Sequence, residues 1–177
     1  LERVSKAGAK FDPEKTKWFQ QQHLRAVSDE DLAQLLIDQY GATTDKARLT
    51  KIVHLMKERA TFPQDILTEG AYLLERPTVY DEQTVSKKWK EDAPALMAEW
   101  LQQLEALSDY SAASVETTFK SFITEKNLGI GAVLPLFRLL LTGQGAGPSM
   151  FEITEFLGKE EAIERMKVGS SAIEALK

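Results

Sequence analysis

The chain has 177 residues, 43% of them apolar and 28% charged, and its 22 basic and 27 acidic side chains leave a net charge of -5. This is enough chain to bury a core in one ordinary domain or two small packed ones. The absence of cysteine excludes disulfides, zinc ribbons, iron–sulfur clusters and thiol nucleophiles. No apolar run approaches the roughly 18 residues that would cross a bilayer, so no membrane partner is expected. His23 and His54 are too far apart in sequence to form a helical metal-binding pair, and no metal site is expected either. The start of the chain has no apolar stretch behind basic residues, which predicts a cytoplasmic protein or a fragment of one. Residues 1–25 hold six bases and three acids, so +3 stands at the start and -8 follows. A chain governed by non-specific phosphate binding would be basic overall, and any nucleic-acid contact here must be local and directed.

In chain order, Ser28 before Asp29, Glu30 and Asp31 reads as an N-cap with acids in the first turn, and Leu32, Leu35, Leu36 and Tyr40 form a stripe ending at Gly41. Asp45 caps a second helix with Leu49, Ile52, Val53 and Met56 on one face. Thr61 with Gln64 resembles a capping box opening a third, with Ile66, Leu67 and Leu74 inward and Arg76-Pro77 as its end. Thr78 to Asp92 is polar and is expected to be a linker or weak helix at a subdomain boundary. Beyond Pro94, a stripe of Leu96, Met97, Trp100, Leu101, Leu104 and Leu107 predicts a strongly amphipathic helix. Val115, Phe119, Phe122 and Ile123 predict another, stopped by Asn127 and Gly129. Ile130 to Leu141 is apolar nearly all round and is expected to be the central buried helix, with Pro135 in its first turns. After the turn from Gly143 to Pro148, Ser149 and Glu152 have capping-box spacing, Ile153, Phe156 and Leu157 face inward, and Gly158 is placed as the C-cap. Lys159 to Lys177 is expected to be a polar helix that frays. The fold class is therefore all-α, as two small packed helical bundles.

No catalytic constellation emerges. The Gly143–Gly147 stretch lacks the Gly-Lys-Ser/Thr ending of a phosphate loop and no strand precedes it, so a helix-to-helix turn is its expected use. The notable residues are two arginines. Arg59 lies between a helix end and the next cap, where its guanidinium can project. Arg138 sits within the otherwise apolar Leu136–Leu141, where a charge needs a compensating partner. Trp18 and Phe19, beside basic residues, fit base stacking or local packing equally. On composition and periodicity alone, a helical protein–protein module with the Leu96–Leu107 stripe serving a partner helix stays open.

Two stretches carry a specific resemblance. Gly8-Ala-Lys-Phe-Asp-Pro-Glu-Lys-Thr-Lys-Trp-Phe19 resembles the segment that follows the catalytic domain of bacterial glutamyl-tRNA synthetases, and Leu136-Phe-Arg-Leu-Leu-Leu-Thr-Gly-Gln-Gly-Ala-Gly-Pro-Ser-Met-Phe-Glu152, continuing to Phe156-Leu-Gly-Lys-Glu160, resembles that family's C-terminal signature. Glu58-Arg-Ala-Thr61 is similar to a shorter motif between them, and order and spacing agree along nearly the whole chain. The resemblance implies a class I aminoacyl-tRNA synthetase, a monomeric cytoplasmic ligase of translation that uses ATP and Mg²⁺ to join glutamate to its tRNA. The HIGH-type and KMSKS-type motifs of its catalytic domain are not in this sequence. The chain would then be the anticodon-binding portion, holding no cofactor, inactive alone and binding tRNA rather than DNA.

The resemblance further implies residues 1–22 as a remnant of a stem-contacting segment, 23–80 as a first anticodon-binding subdomain and 81–177 as a second. It assigns Arg59 to the third anticodon base and Arg138, Gly147, Pro148 and Met150 to the first. Family members can carry Thr at the position of Gly147, so only a backbone contact transfers there. The Arg59 role has a physical rationale. An unpaired cytosine offers O2 and N3 as adjacent acceptors to a donor-only guanidinium, whereas guanine presents N1–H and N2–H donors. Glutamate anticodons end in C and glutamine anticodons in G, and such a contact separates bases by on the order of 1–3 kcal/mol.

Overall fold

The computed structural model describes residues 13–176, and every regular element among them is helical. The Gly8–Asp12 part of the first resemblance and Lys177 lie outside the described residues. The helices are α1 (Pro13–Ala26), α2 (Asp29–Tyr40), α3 (Lys46–Met56), α4 (Pro63–Glu69), α5 (Ala71–Leu74), α6 (Glu82–Lys88), α7 (Ala93–Ala106), α8 (Ala112–Glu125), α9 (Ile130–Thr142), α10 (Met150–Leu157) and α11 (Lys159–Ala175). They fall into two compact units, one ending at Leu67 and the other beginning at Thr68. No described helix is long and apolar enough to cross a membrane.

The first unit is built on the α2–α3 hairpin. Ser28 Oγ accepts from Asp31 N at 3.1 Å and Asp45 Oδ1 from Arg48 N at 2.9 Å, so both expected caps form. Gly41 ends α2 at φ 68°, a left-handed conformation open to glycine at little cost. Leu32, Ala33, Leu36, Leu49, Ile52 and Val53 are essentially fully buried between the two helices. The helix α1 precedes them, a stretch for which the sequence pattern gave no clear period. Thr61 and Gln64 do not form the expected capping box. The Asp65 carboxylate instead reaches back to accept from Thr61 N at 2.9 Å and Phe62 N at 2.8 Å, a shorter acid doing the work expected of Gln64.

The expected third helix breaks at Gly70 into α4 and α5, and Tyr72 and Leu73 turn inward while Leu74 is exposed. The structural division comes at Leu67, ahead of the boundary expected near residue 80. Of the two forms expected for Thr78–Asp92, the structure has the weak helix, α6, rather than a linker. Asp81 N donates to Gly143 O at 2.8 Å, Asp81 Oδ1 accepts from Thr84 N at 2.7 Å to cap α6, and Trp89 is buried with its indole N–H donated to Glu174.

The core of the second unit is aromatic. The fully buried Trp100 of α7 packs edge-on against Phe119 of α8 at 5.1 Å and Phe137 of α9 at 5.4 Å. Met97, Trp100 and Leu104 are consumed by this internal packing, so the α7 stripe is not a surface for a partner helix.

Pro135 lies in the second turn of α9, within the first turns expected for it but beyond the four residues whose N–H groups have no intrahelical acceptor. It has no N–H to offer the Gly131 carbonyl four residues back, and Lys88 Nζ fills the vacancy at 3.1 Å. The tail also departs from expectation. The helix α11 runs 17 residues along α7 and α9, burying Ala162, Met166, Gly169 and Ile173. Small residues explain the packing: a Cβ at Gly169 would stand 3.1 Å from the Leu140 carbonyl oxygen. Buried Arg165 donates from Nη1 to the carbonyls of Tyr72 at 2.5 Å and Leu141 at 2.9 Å, and pairs through Nε with Glu161 at 2.7 Å. The Leu141 carbonyl is one of those a helix end leaves without an intrahelical donor.

Candidate functional site

Two constellations follow from these elements, one in each unit. In the first unit α3 ends at Met56 and the chain turns through Lys57, Glu58 and Arg59, with Arg59 N and Ala60 N both donating to Met56 O. Neighbouring helices fasten this turn on several sides. Arg25 of α1 donates from Nη2 to the Glu58 carbonyl at 2.8 Å and pairs through Nε with the Glu58 carboxylate at 3.0 Å. Gln21 reaches the Thr61 hydroxyl at 3.3 Å, and Lys57 Nζ donates to Val27 O at 2.6 Å and Asp29 Oδ1 at 2.7 Å. Burial raises the Asp29 pKa, but the bonds from Lys57 and His54 outweigh it and hold the carboxyl below its usual value. Ala60 is buried, and Arg59 between these anchors is exposed with no side-chain partner among the described residues. The result is a guanidinium held out to solvent from a backbone that cannot easily move.

In the second unit, Arg138 leaves α9 one turn before its end and bends toward the turn that follows. Its Nη2 donates to Pro148 O at 2.8 Å. A Cβ on Gly147 would lie 2.8 Å from Nη1 and 3.6 Å from the Tyr72 hydroxyl, so the bare backbone at this position leaves room for the guanidinium. The turn is anchored on its other flank. At Gly143 (φ +72°) a Cβ would clash with the Val79 carbonyl oxygen, and at Gly145 with the Thr84 hydroxyl. Thr142 donates to Arg138 O at 2.8 Å and accepts from Gln144 N at 3.1 Å.

Of the residues singled out from sequence, Arg138, Gly147 and Pro148 are brought together. Met150 opens α10 behind them, only 1% exposed, as a support beneath the turn. Arg59 belongs to the other unit. Sequence reasoning missed Arg25, Tyr72 and the Pro77–Asp81 segment, which shape the two constellations without any motif of their own. Among the described residues, no group of three or more His, Asp or Glu side chains could hold a metal ion.

Comparison with known families decides the lineage, because residues 30–169 match the model of the anticodon binding domain. The chain belongs to the anticodon-binding domain family. Among curated proteins, it is 43% identical over 176 residues to a glutamate–tRNA ligase of Flavobacterium johnsoniae, covering 98% of this chain and 35% of that protein. A glutamate–tRNA ligase of Phocaeicola vulgatus is 40% identical, matching all of this chain and 35% of its own length. The chain thus spans about a third of the length of these relatives. Among solved structures, a glutamate tRNA ligase of Elizabethkingia meningosepticum superposes with a TM-score of 0.83 at 35% identity, over 98% of this chain and 34% of that one. The glutamate–tRNA synthetase of Elizabethkingia anophelis gives 0.77 at 34% identity, over 97% and 33%.

Proposed function

We propose that this chain is the anticodon-reading portion of a glutamate–tRNA ligase. In this reading it binds the anticodon loop and stem of glutamate tRNA, Arg59 reads the third anticodon base, and Arg138 with the backbone of Gly147 and Pro148 holds the first, Met150 supporting the turn from below. The two units that divide after Leu67 act as the two anticodon-binding subdomains, and residues 1–22 approach the stem. The complete enzyme is a cytoplasmic monomer that activates glutamate with ATP and Mg²⁺ in a separate catalytic domain. This chain alone does not aminoacylate, and DNA is not its ligand. The observation that carries the reading is the pairing of Arg138 with the Pro148 carbonyl beside a glycine without a side chain, in a family of anticodon-binding domains.

Two rigid presentations of donor groups explain how a chain of net charge -5 could select an RNA. Recognition then rests on a few oriented groups rather than on a basic surface, and salt should weaken binding only modestly. Filter binding of the chain to glutamate tRNA, with Arg138→Ala alongside and salt varied, tests this. Arg138→Ala is expected to weaken binding about tenfold, the equivalent of one good bidentate base contact. Equal affinity of the variant for the tRNA, with helicity retained by circular dichroism, would remove Arg138 from the site.

A further inference from the structure

The last turn of α9 and the short helix α5 frame the Arg138 turn, and a single buried side chain ties them together. Arg165 of α11 is only 3% exposed. Its Nη1 donates both to the Tyr72 carbonyl at 2.5 Å and to the Leu141 carbonyl at 2.9 Å, across 93 and 24 positions of sequence. We infer that Arg165 is a positioning residue for reading of the first anticodon base. It is too deeply buried to touch a nucleotide, and it acts by fixing the elements that carry Tyr72 and Arg138 against Gly147. The inference rests on the anticodon-binding reading above and adds to it a residue that lies outside the reading turn.

Three observations carry it. The first is where the two acceptors stand. Leu141 belongs to the same final turn of α9 as Arg138, a turn in which Thr142 donates to Arg138 O at 2.8 Å. Tyr72 brings its hydroxyl to 3.6 Å from where a Cβ on Gly147 would be, and Arg138 Nη1 lies 2.8 Å from the same point. One nitrogen of Arg165 therefore sets the spacing between the helix that bears the reading guanidinium and the tyrosine that borders its glycine.

The second is the weakness of α5 by itself. It has four residues, Ala71–Leu74, far fewer than the roughly 12 at which an isolated helix becomes even marginal in water. Tyr72 keeps its place because α11 grips α5 at two points. Arg165 holds the Tyr72 carbonyl, and Arg76, just beyond the helix, is held by Glu161 through Nε at 3.0 Å and Nη2 at 2.7 Å. Glu161 also accepts from Arg165 Nε at 2.7 Å, so one carboxylate serves both grips. The third is the cost of the arrangement. Taking a guanidinium out of water is expensive, and a packed apolar side chain of similar volume often stabilises as well or better. What an apolar side chain cannot supply is two directed bonds that define a distance, and a recognition site works only where its supporting groups hold such distances closely.

The test is a fluorescence titration of the 177-residue chain with a synthetic anticodon stem–loop of glutamate tRNA, intact or abasic at the first anticodon position. Arg165→Met, Arg138→Ala and the double variant are compared with the unaltered chain, and circular dichroism confirms the fold. Arg165→Met is expected to weaken binding of the intact loop about fivefold, the scale of coupling between neighbouring residues. The loss should vanish both in the Arg138→Ala background and on the abasic loop, a pattern that a general loss of stability does not produce. Where Arg165→Met fails to fold, Arg165→Lys takes its place. Its ammonium can still donate to both carbonyls while the Nε bond to Glu161 is gone, and the same pattern is expected at about threefold. Undiminished affinity in a folded Arg165 variant, while Arg138→Ala weakens binding, overturns the inference and leaves the anticodon-binding reading standing. A loss that persists in the Arg138→Ala background or on the abasic loop also overturns it, because Arg165 then serves the fold and not the reading. Full affinity in Arg138→Ala sinks both.

Discussion

Arg138 and Gly147 compete for one volume: the guanidinium that donates to the Pro148 carbonyl lies where a side chain on Gly147 would begin, 2.8 Å from its Cβ position. Gly147→Thr should therefore push the arginine outward and break that bond. Because the obstructing atom is the end of a flexible side chain, the stability cost should stay near 1 kcal/mol, the net worth of one hydrogen bond. The change in RNA binding should be larger and coupled. In a cycle with Arg138→Ala, measured by titration with the anticodon stem–loop, Gly147→Thr should matter only while the arginine is present. Strictly additive effects would mean that the two residues act independently.

The Arg59 turn predicts a separation between contact and support. Arg59→Gln should erode the preference for C over G at the third anticodon base, by up to the on-the-order-of 1–3 kcal/mol that bidentate base contacts supply. Arg25→Ala removes two tethers to Glu58 without removing the reading group. It should lower affinity for both bases while keeping most of the preference. Charging of glutamate tRNA and its C-to-G variant by the complete enzyme separates the two outcomes, and loss of preference in Arg25→Ala would place that residue in the contact itself.

Glu161 makes the second unit acid-sensitive. The Arg76 hydrogen bonds, aided by Arg165, pull its carboxyl down to about 2 against the ordinary value of 4.5. A lowered folded pKa gives stability that is fully present above the unfolded value and is lost as pH falls through the folded one. Solvent screening at this partly exposed network reduces the contribution to about 1–2 kcal/mol. Urea denaturation followed from pH 7 to pH about 2 should show the unaltered chain losing that margin below pH about 4.5. Glu161→Gln should start lower at pH 7 and converge with it in acid. A constant gap across the range would show that the charge is not what the network uses.

Much of the fold was legible because its signals are local. Ser28, Asp45 and Ser149 each cap the helix their spacing announced, and the stripe through Met97, Trp100 and Leu104 is buried as its period required. What stayed hidden depends on partners distant in sequence. The helix α11 looked polar because charged residues separate the apolar ones it buries, Ala162, Met166 and Ile173, and because Gly169 fits by close approach to α9. The break at Gly70 and the division at Leu67 reflect contacts such as Arg165 with the Tyr72 carbonyl, 93 positions away. The candidate site divides in the same way. The turn from Gly143 to Pro148 and both arginines could be found in the sequence, while Tyr72, Val79 and Arg25 acquire meaning only from what they stand beside.

Pro135 and Lys88 give a last prediction that isolates one interaction. Proline at position 135 removes the donor that the Gly131 carbonyl would receive within α9, and the Lys88 ammonium takes its place at 3.1 Å. Lys88→Met keeps most of the aliphatic stem but leaves that carbonyl to water, and should cost about 1 kcal/mol in urea denaturation. Replacing Pro135 by Ala restores an N–H in a position compatible with helix, and the intrahelical bond can then form without help. In that background Lys88→Met should cost close to nothing. The non-additivity, about 1 kcal/mol, is the signature of the substitution of one donor for another. If Lys88→Met were equally costly in both backgrounds, the lysine would be stabilising the α6–α9 packing through its stem or its charge, and the Gly131 carbonyl would need no donor at all.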